Sequence, residues 1–279
     1  MKLRPLWGLL AALMLLPGCA YAEEPVQTTV QPTTVPTTLP ATEPVPPTTR
    51  PSVRHMSRAE LAVQTFSEEN ALDVSAYPDS LIALLERNPE TEEFVLYYPL
   101  EYGVEKEVDL SSYETEEAMP LFLQWDRQWG YLDYGDNVAG LTACGPVCLS
   151  MVAYHFLRDP SVGPDQVIRF ALDNGYCAPG NGSYWSLIDQ GGAQLGLDVT
   201  AIYPEEDRVI ANLEAGNPII CIMGPGDFTA SGHFVVMAEA EDGLIRIHDP
   251  NSYENSQRLW AFADIADQIE GMWVMRYFG

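Results

Sequence analysis

The sequence predicts an α+β protein, with helices first and an antiparallel sheet after them. Three observations lead there. Cys144-Gly145-Pro146 opens an apolar helical pattern in the middle of the chain. Short apolar runs, typical of strands, recur from residue 198 to the end. Hydrophobic residues make up 47% of the 279, enough for a substantial core. Further helices are predicted near 164–174, 184–196, 206–215 and 261–269. Strands are predicted near 198–203, 218–223, 232–239, 243–249 and 272–278.

The central helix carries the first chemical signal. Proline is tolerated in a first helical turn, where its missing N–H is not needed, so Pro146 marks a helix start. Val147, Met151 and Tyr154 then recur at helical spacing, with Leu149, Val152 and Phe156 widening the apolar face. Cys144 therefore sits at a helix N-terminus. The dipole and the unpaired N–H groups there favour the thiolate, the nucleophilic form of cysteine.

Partners for a nucleophile lie downstream. Gly232-His233-Phe234-Val235-Val236-Met237 is apolar on both faces, which predicts a buried central strand with a histidine at its start. Leu244-Ile245-Arg246-Ile247-His248-Asp249-Pro250 predicts a second strand that ends in an aspartate. Strand parity sets Ile245, Ile247 and Asp249 on one face and Arg246 and His248 on the other. With the isoleucines in the core, Asp249 lies at the buried rim and His248 is expected to face water. Cys144, His233 and Asp249 thus fit the roles of nucleophile, base and orienting acid. Gln124, twenty residues before the cysteine, supplies an amide that can donate to a developing oxyanion beside the Cys144 N–H.

These blocks resemble a known family. Gln124-Trp125-Asp126, Tyr134-Gly135, Ala143-Cys144-Gly145-Pro146, Gly232-His233-Phe234 and Asp249-Pro250-Asn251-Ser252 are similar, in that order, to the C39-like cysteine peptidases of bacteria. Those are related to the peptidases that cut bacteriocin precursors after double-glycine leaders, within the papain-like superfamily. The resemblance covers residues 118–279. It implies a papain-like α+β fold, with the helical part that carries the nucleophile packed on an antiparallel sheet. Position by position, it implies Cys144 as nucleophile, His233 as base, Asp249 as its partner and Gln124 for the oxyanion hole. The expected activity is hydrolysis of a peptide bound in an extended conformation, by a monomer that needs no metal or organic cofactor. An acyl transferase or cell-wall amidase using the same triad, and a non-catalytic peptide-binding module, are the alternatives.

The N-terminal part predicts export. Met1-Lys2-Leu3-Arg4 is basic and residues 6–16 are an apolar run of signal-peptide length. Two endings fit a signal over residues 1–22. In one, Leu16-Pro17-Gly18-Cys19 makes Cys19 a lipidated first mature residue, which would be the chain's one membrane contact. In the other, Ala20-Tyr21-Ala22 is a small-x-small cleavage site. The expected location is extracellular or at the cell surface. Residues 23–55, rich in Thr and Pro, predict an extended spacer. Residues 56–117 predict a partly helical extension, with a capping box at Ser57 and Glu60 and a helix opened by Pro78-Asp79.

Charge and cysteine usage narrow the function further. Forty acidic against 14 basic residues give a net charge of -26, which argues against nucleic-acid partners. Cys148 lies one turn after Cys144 and is expected to point inward. Cys221, inside Pro218-Ile219-Ile220-Cys221-Ile222-Met223, is expected to pack as a small hydrophobe. His155 shares the helix with Cys144, but eleven residues of rise separate them by about 16 Å, too far for it to act as the base. His55 is expected to be exposed. The glycines of Pro179-Gly180-Asn181-Gly182-Ser183 lack the Lys-Ser/Thr ending of a phosphate loop and are read as leading into a helix capped by Ser183. Gly224-Pro225-Gly226-Asp227 predicts a turn beside the cleft.

Overall fold

A computed structural model describes residues 55–114, 118–180 and 182–279. The expected signal segment, with Cys19 as its candidate lipidation site, and nearly all of the expected Thr/Pro spacer lie outside the described residues. In chain order the helices α1 (Arg58–Asn70), α2 (Asp79–Arg87), α3 (Glu92–Leu96) and α4 (Tyr98–Glu101) come first. A two-strand ribbon of β1 (Asp133–Tyr134) and β2 (Asn137–Val138) leads through α5 (Ala139–Thr142) into α6 (Cys144–Leu157) and α7 (Pro164–Asp173). A second ribbon, β3 (Cys177–Ala178) and β4 (Gly182–Ser183), precedes a π-helical turn at Leu187–Gly191 and α8 (Gly192–Gln194). Then come strands β5 (Asp198–Ile202), β6 (Ile219–Met223), β7 (His233–Glu241), β8 (Leu244–His248), β9 (Leu259–Trp260) and β10 (Ile269–Arg276). Helices α9 (Glu206–Glu214), α10 (Tyr253–Gln257) and α11 (Phe262–Ile265) lie between them.

The six long-sheet strands pair antiparallel in the order β5-β10-β6-β7-β8-β9. The protein is therefore α+β, as expected. Strand β7 is interior, hydrogen-bonded to both β6 and β8, and its residues from His233 to Met237 are buried on both faces by the helices packed there. Phe234 and Val236 pack with α6 residues Val147 and Met151 in one core, and Val235 and Met237 pack with Val209 of α9 and Ile265 of α11 in another. The helix α6 is buried along ten consecutive residues, Gly145 to Tyr154. This explains a sequence that is apolar nearly all round.

The extension forms its helices where local signals asked for them. Ser57 and Glu60 close a capping box on α1, and Pro78 is the N-cap of α2. The apolar run Phe94-Val95-Leu96-Tyr97-Tyr98 is helical, in α3 and the start of α4. Val63, Leu81, Leu84, Leu85 and Phe94 form a third core with Tyr131 and Val138, and Phe94 stacks on Tyr131 at 4.7 Å between ring centroids. Helices α1 to α3 thus bury their apolar faces against the segment just before the cysteine helix. Among the described residues no helix is long and apolar enough to cross a membrane.

Several local expectations needed correction. Ser183 does not cap a helix. It lies in β4, and its hydroxyl pairs with the Tyr134 hydroxyl at 2.6 Å. The segment 184–196 forms a π-helical turn and one short α-turn rather than one regular helix. The last strand starts at Ile269, three residues early, because α11 and a 3₁₀ turn take up only 262–268.

Candidate active site

Cys144 is the first residue of α6 and follows Ala143, which gives no side-chain cap. The first-turn N–H groups are left to other acceptors, and two backbone donors, from Gly145 and Phe234, reach the Cys144 sulfur. Gly145 also has to be glycine. A Cβ there would lie 2.8 Å from Ser183 Oγ, because the β3–β4 ribbon packs directly on the start of α6.

His233 opens β7, directly opposite Met223 in the register, and stands at the same end of the sheet as the cysteine helix's start. Its Nε2 lies 2.7 Å from Asp249 Oδ1. The other ring nitrogen is left for the Cys144 sulfur, to which the imidazole hydrogen-bonds. Asp249 follows β8 and is fully buried. Oδ1 also accepts from the Asn251 N–H at 2.8 Å, and Oδ2 accepts from Asn255 Nδ2 at 2.9 Å. The three residues proposed from sequence thus form one hydrogen-bonded chain across the junction of helix and sheet.

The electrostatics follow from that chain. Burial pushes the Cys144 thiol up, but the hydrogen bond and charge of His233, with the N–H groups of Phe234 and Gly145, hold it below its ordinary value. Burial pulls His233 down, but the Asp249 carboxylate and the Cys144 sulfur raise it to about 10. Burial opposes ionisation of Asp249, which His233, Asn255 and the Asn251 N–H nonetheless keep below the usual carboxylate range. With the thiol held below its ordinary value and the imidazole raised to about 10, the thiolate–imidazolium pair is favoured over the neutral pair, beside an ionised Asp249.

Comparison with known proteins is decisive for the family. The sequence matches the Peptidase_C39 like family over residues 116–278. The chain belongs to that family. Its function is accordingly of the cysteine-peptidase type. No curated protein matches it. A solved structure described as a putative C39-like peptidase from Bacillus anthracis is similar at 14% identity, over 57% of this chain and 95% of that one, with a TM-score of 0.36.

Within this family member, Gln124 is buried and lines the same cleft as Cys144 and His233. Its Nε2 donates to Gly140 O at 2.9 Å, while its Oε1 is buried with no hydrogen-bond partner among the described residues. The Gln124 N–H is bound to Pro250 O at 2.7 Å, and Trp125 Nε1 donates to Asn251 O at 3.1 Å. The glutamine loop is thereby fastened to the aspartate turn. The cleft measures about 1110 Å³ and runs past Gln124, Cys144, His233 and Trp185. The turn residues Gly226 and Asp227 form part of its wall.

His248 is not exposed, contrary to expectation. The opposite face of β8 is covered by the segment at Pro120, and the ring is buried with Nδ1 3.2 Å from Pro120 O. His248 does lie on the strand face opposite Ile245 and Ile247, but β8 is covered there too. The four cysteines among the described residues are all free. Cys148 and Cys221 are fully buried, and burial pushes both thiols up. His155, at the far end of α6, is half-buried and its pKa is lowered by burial. Among the described residues no group of His, Cys, Asp and Glu has the arrangement of a metal site.

Sequence reasoning missed Asn255 and the contribution of Asn251. Asn255 sits six residues after Asp249 in a polar stretch that resembles any solvated turn, and only the fold of that turn aims its amide at the carboxylate.

Proposed function

We propose that this protein is an exported cysteine peptidase that hydrolyses peptide bonds through Cys144, His233 and Asp249, with Gln124 in the oxyanion hole. The observation that carries the reading is the continuous chain from the Cys144 sulfur through the His233 ring to Asp249 Oδ1 at 2.7 Å. The thiolate attacks the substrate carbonyl carbon, and the carbonyl electrons become an oxyanion. The Cys144 N–H and the second N–H of Gln124 Nε2 donate to that oxygen. When the C–N bond breaks, the His233 proton goes to the leaving amine and a thioester remains. Water then gives a proton to His233 and attacks the thioester, releasing a carboxylic acid and restoring the thiolate. Size supports an extended peptide, since the cleft exceeds the roughly 300–1,000 Å³ usual for small-molecule pockets. The basic and apolar start of the sequence supports export, and the catalytic unit is read as a monomer.

Cys144→Ala is expected to fold normally and to lose all peptide hydrolysis and all iodoacetamide labelling at that position. Hydrolysis retained by this variant would refute the assignment. In His233→Ala, labelling at neutral pH should slow, because the thiol loses its cationic partner, and a rate equal to wild type would count against the pair.

A further inference from the structure

The extension of residues 56–117 has no part in the reaction as described so far, yet its side chains reach the turn that carries the aspartate. Asn88 Nδ2 donates to Asn251 O at 2.6 Å. The Glu90 carboxylate accepts the N–H of Tyr253 at 2.9 Å and that of Glu254 at 2.8 Å. These contacts span more than 160 residues of sequence.

Helix α10 explains why they matter. It has five residues, too few to persist on its own backbone bonds. Its first N–H groups need acceptors from elsewhere. Ser252 Oγ takes the N–H of Asn255 at 3.1 Å, and Glu90 takes the two before it. A carboxylate at that end also suits the helix dipole. The reward for ordering α10 falls on Asp249. Asn255, on this helix, donates to Asp249 Oδ2, and Ser256 Oγ accepts the Asp249 N–H at 2.9 Å. Asn251, whose carbonyl Asn88 holds, gives its N–H to Asp249 Oδ1. The clamp is itself rigid: Asn88 Oδ1 accepts the Glu90 N–H at 3.1 Å, and buried Thr91 donates its hydroxyl to Asn88 O at 2.8 Å.

We propose that Asn88 and Glu90 are positioning residues for the reaction, holding the turn from Asp249 to Asn255 so that the carboxylate stays aimed at His233. The extension is then a working part of the catalytic unit rather than a detachable leader. This rests on the triad reading given above.

The test uses the full chain with Glu90→Ala, Glu90→Gln and Asn88→Ala, with Glu69→Gln on the exposed face of α1 as control. Three quantities are measured: peptide turnover, the pH dependence of iodoacetamide alkylation at Cys144, and thermal stability. Misaiming the carboxylate by a fraction of an ångström should lower kcat by about tenfold or more in Glu90→Ala, and less in Glu90→Gln, which keeps one acceptor. Iodoacetamide is too small to need the cleft wall, so its acid limb reports the ion pair alone. That limb should move to higher pH in both Glu90 variants and in Asn88→Ala, with the rate in strong alkali unchanged. Folded variants with wild-type kcat and a wild-type alkylation profile would overturn the proposal. If Glu90→Ala does not fold, Glu90→Gln, which keeps one acceptor, and Asn88→Ala, which leaves the Glu90 carboxylate in place, decide it. A wild-type protein whose Cys144 is unreactive, or a His233→Ala that labels at the wild-type rate, would instead overturn the triad reading and this proposal with it.

Discussion

Two buried histidines stand on neighbouring strands of one sheet and are driven in opposite directions. His233, at the start of β7, is raised to about 10, whereas His248, at the end of β8, is lowered to about 4. Their exposures are nearly equal, 6% and 8%, so burial does not separate them. The partner does. His233 meets a carboxylate at 2.7 Å. His248 meets the Pro120 carbonyl at 3.2 Å, and the positive charges of Arg246 and His155 oppose its protonation further. A carbonyl can accept from a neutral ring and gives little to a cation in a dry interior. Asp249, with the Cys144 sulfur, therefore keeps His233 protonated at neutral pH, and losing the carboxylate would move the ring toward the behaviour of His248.

The largest expected effect comes from erasing that difference. Asp249→Ala removes both charge and orientation, and turnover should fall on the order of 10²–10⁴-fold. Asp249→Asn keeps a hydrogen-bond acceptor but loses the charge. Both carboxylate oxygens accept hydrogen bonds, so the amide must turn its NH2 toward a donor on one side. Activity should fall comparably, while the alkaline limb shifts to lower pH as His233 loses its proton earlier. Equal pH profiles for wild type and Asp249→Asn would mean that the carboxylate charge is not what raises the imidazole.

The wild-type profile is the next test. The thiol, held below its usual value, sets the acid limb, and the imidazolium sets the alkaline limb near 10. Between the two limbs kcat/KM should be flat, then decline about tenfold per pH unit beyond the alkaline limb. A peak confined to the range around 6.5, where an isolated histidine titrates, would contradict the coupling of His233 to Asp249.

The same comparison explains what sequence could and could not supply. Cys144, His233 and Asp249 were accessible because each sits where periodicity changes: a proline-marked helix start, the mouth of an apolar strand, the end of an alternating one. Such punctuation is local, and locality is what a sequence displays. The strand order and the two-sided cover of β8 are not local. Whether Pro120 folds over His248 depends on a segment 128 residues away, and the reading of His248 failed for that reason. Ser183 failed similarly: its neighbours are turn-forming glycines, but its partner is Tyr134, across the ribbon. The clamp of Asn88 and Glu90 had only the turn chemistry of Asn88-Pro89 to announce it, which tells nothing about the distant turn it grips.

The smallest expected effect belongs to His248 and appears in stability rather than in rate. Its pKa is depressed in the folded state, from 6.5 to about 4, so the unfolded chain binds the extra proton between those values. The stability that His248 contributes is complete above pH 6.5 and is lost as pH falls through this window, to a limit of roughly 3 kcal/mol. His248→Asn removes the titrating group. The variant should be somewhat less stable at pH 7 and should show a shallower loss of stability between pH 6.5 and 4, measured by urea unfolding at each pH. Peptide turnover at pH 8 should change little, because the ring faces Pro120 rather than the cleft. If His248→Asn kept the wild-type acid slope, the buried neutral imidazole would not be the source of it. His233 cannot produce that slope, since its protonation is already complete in this range.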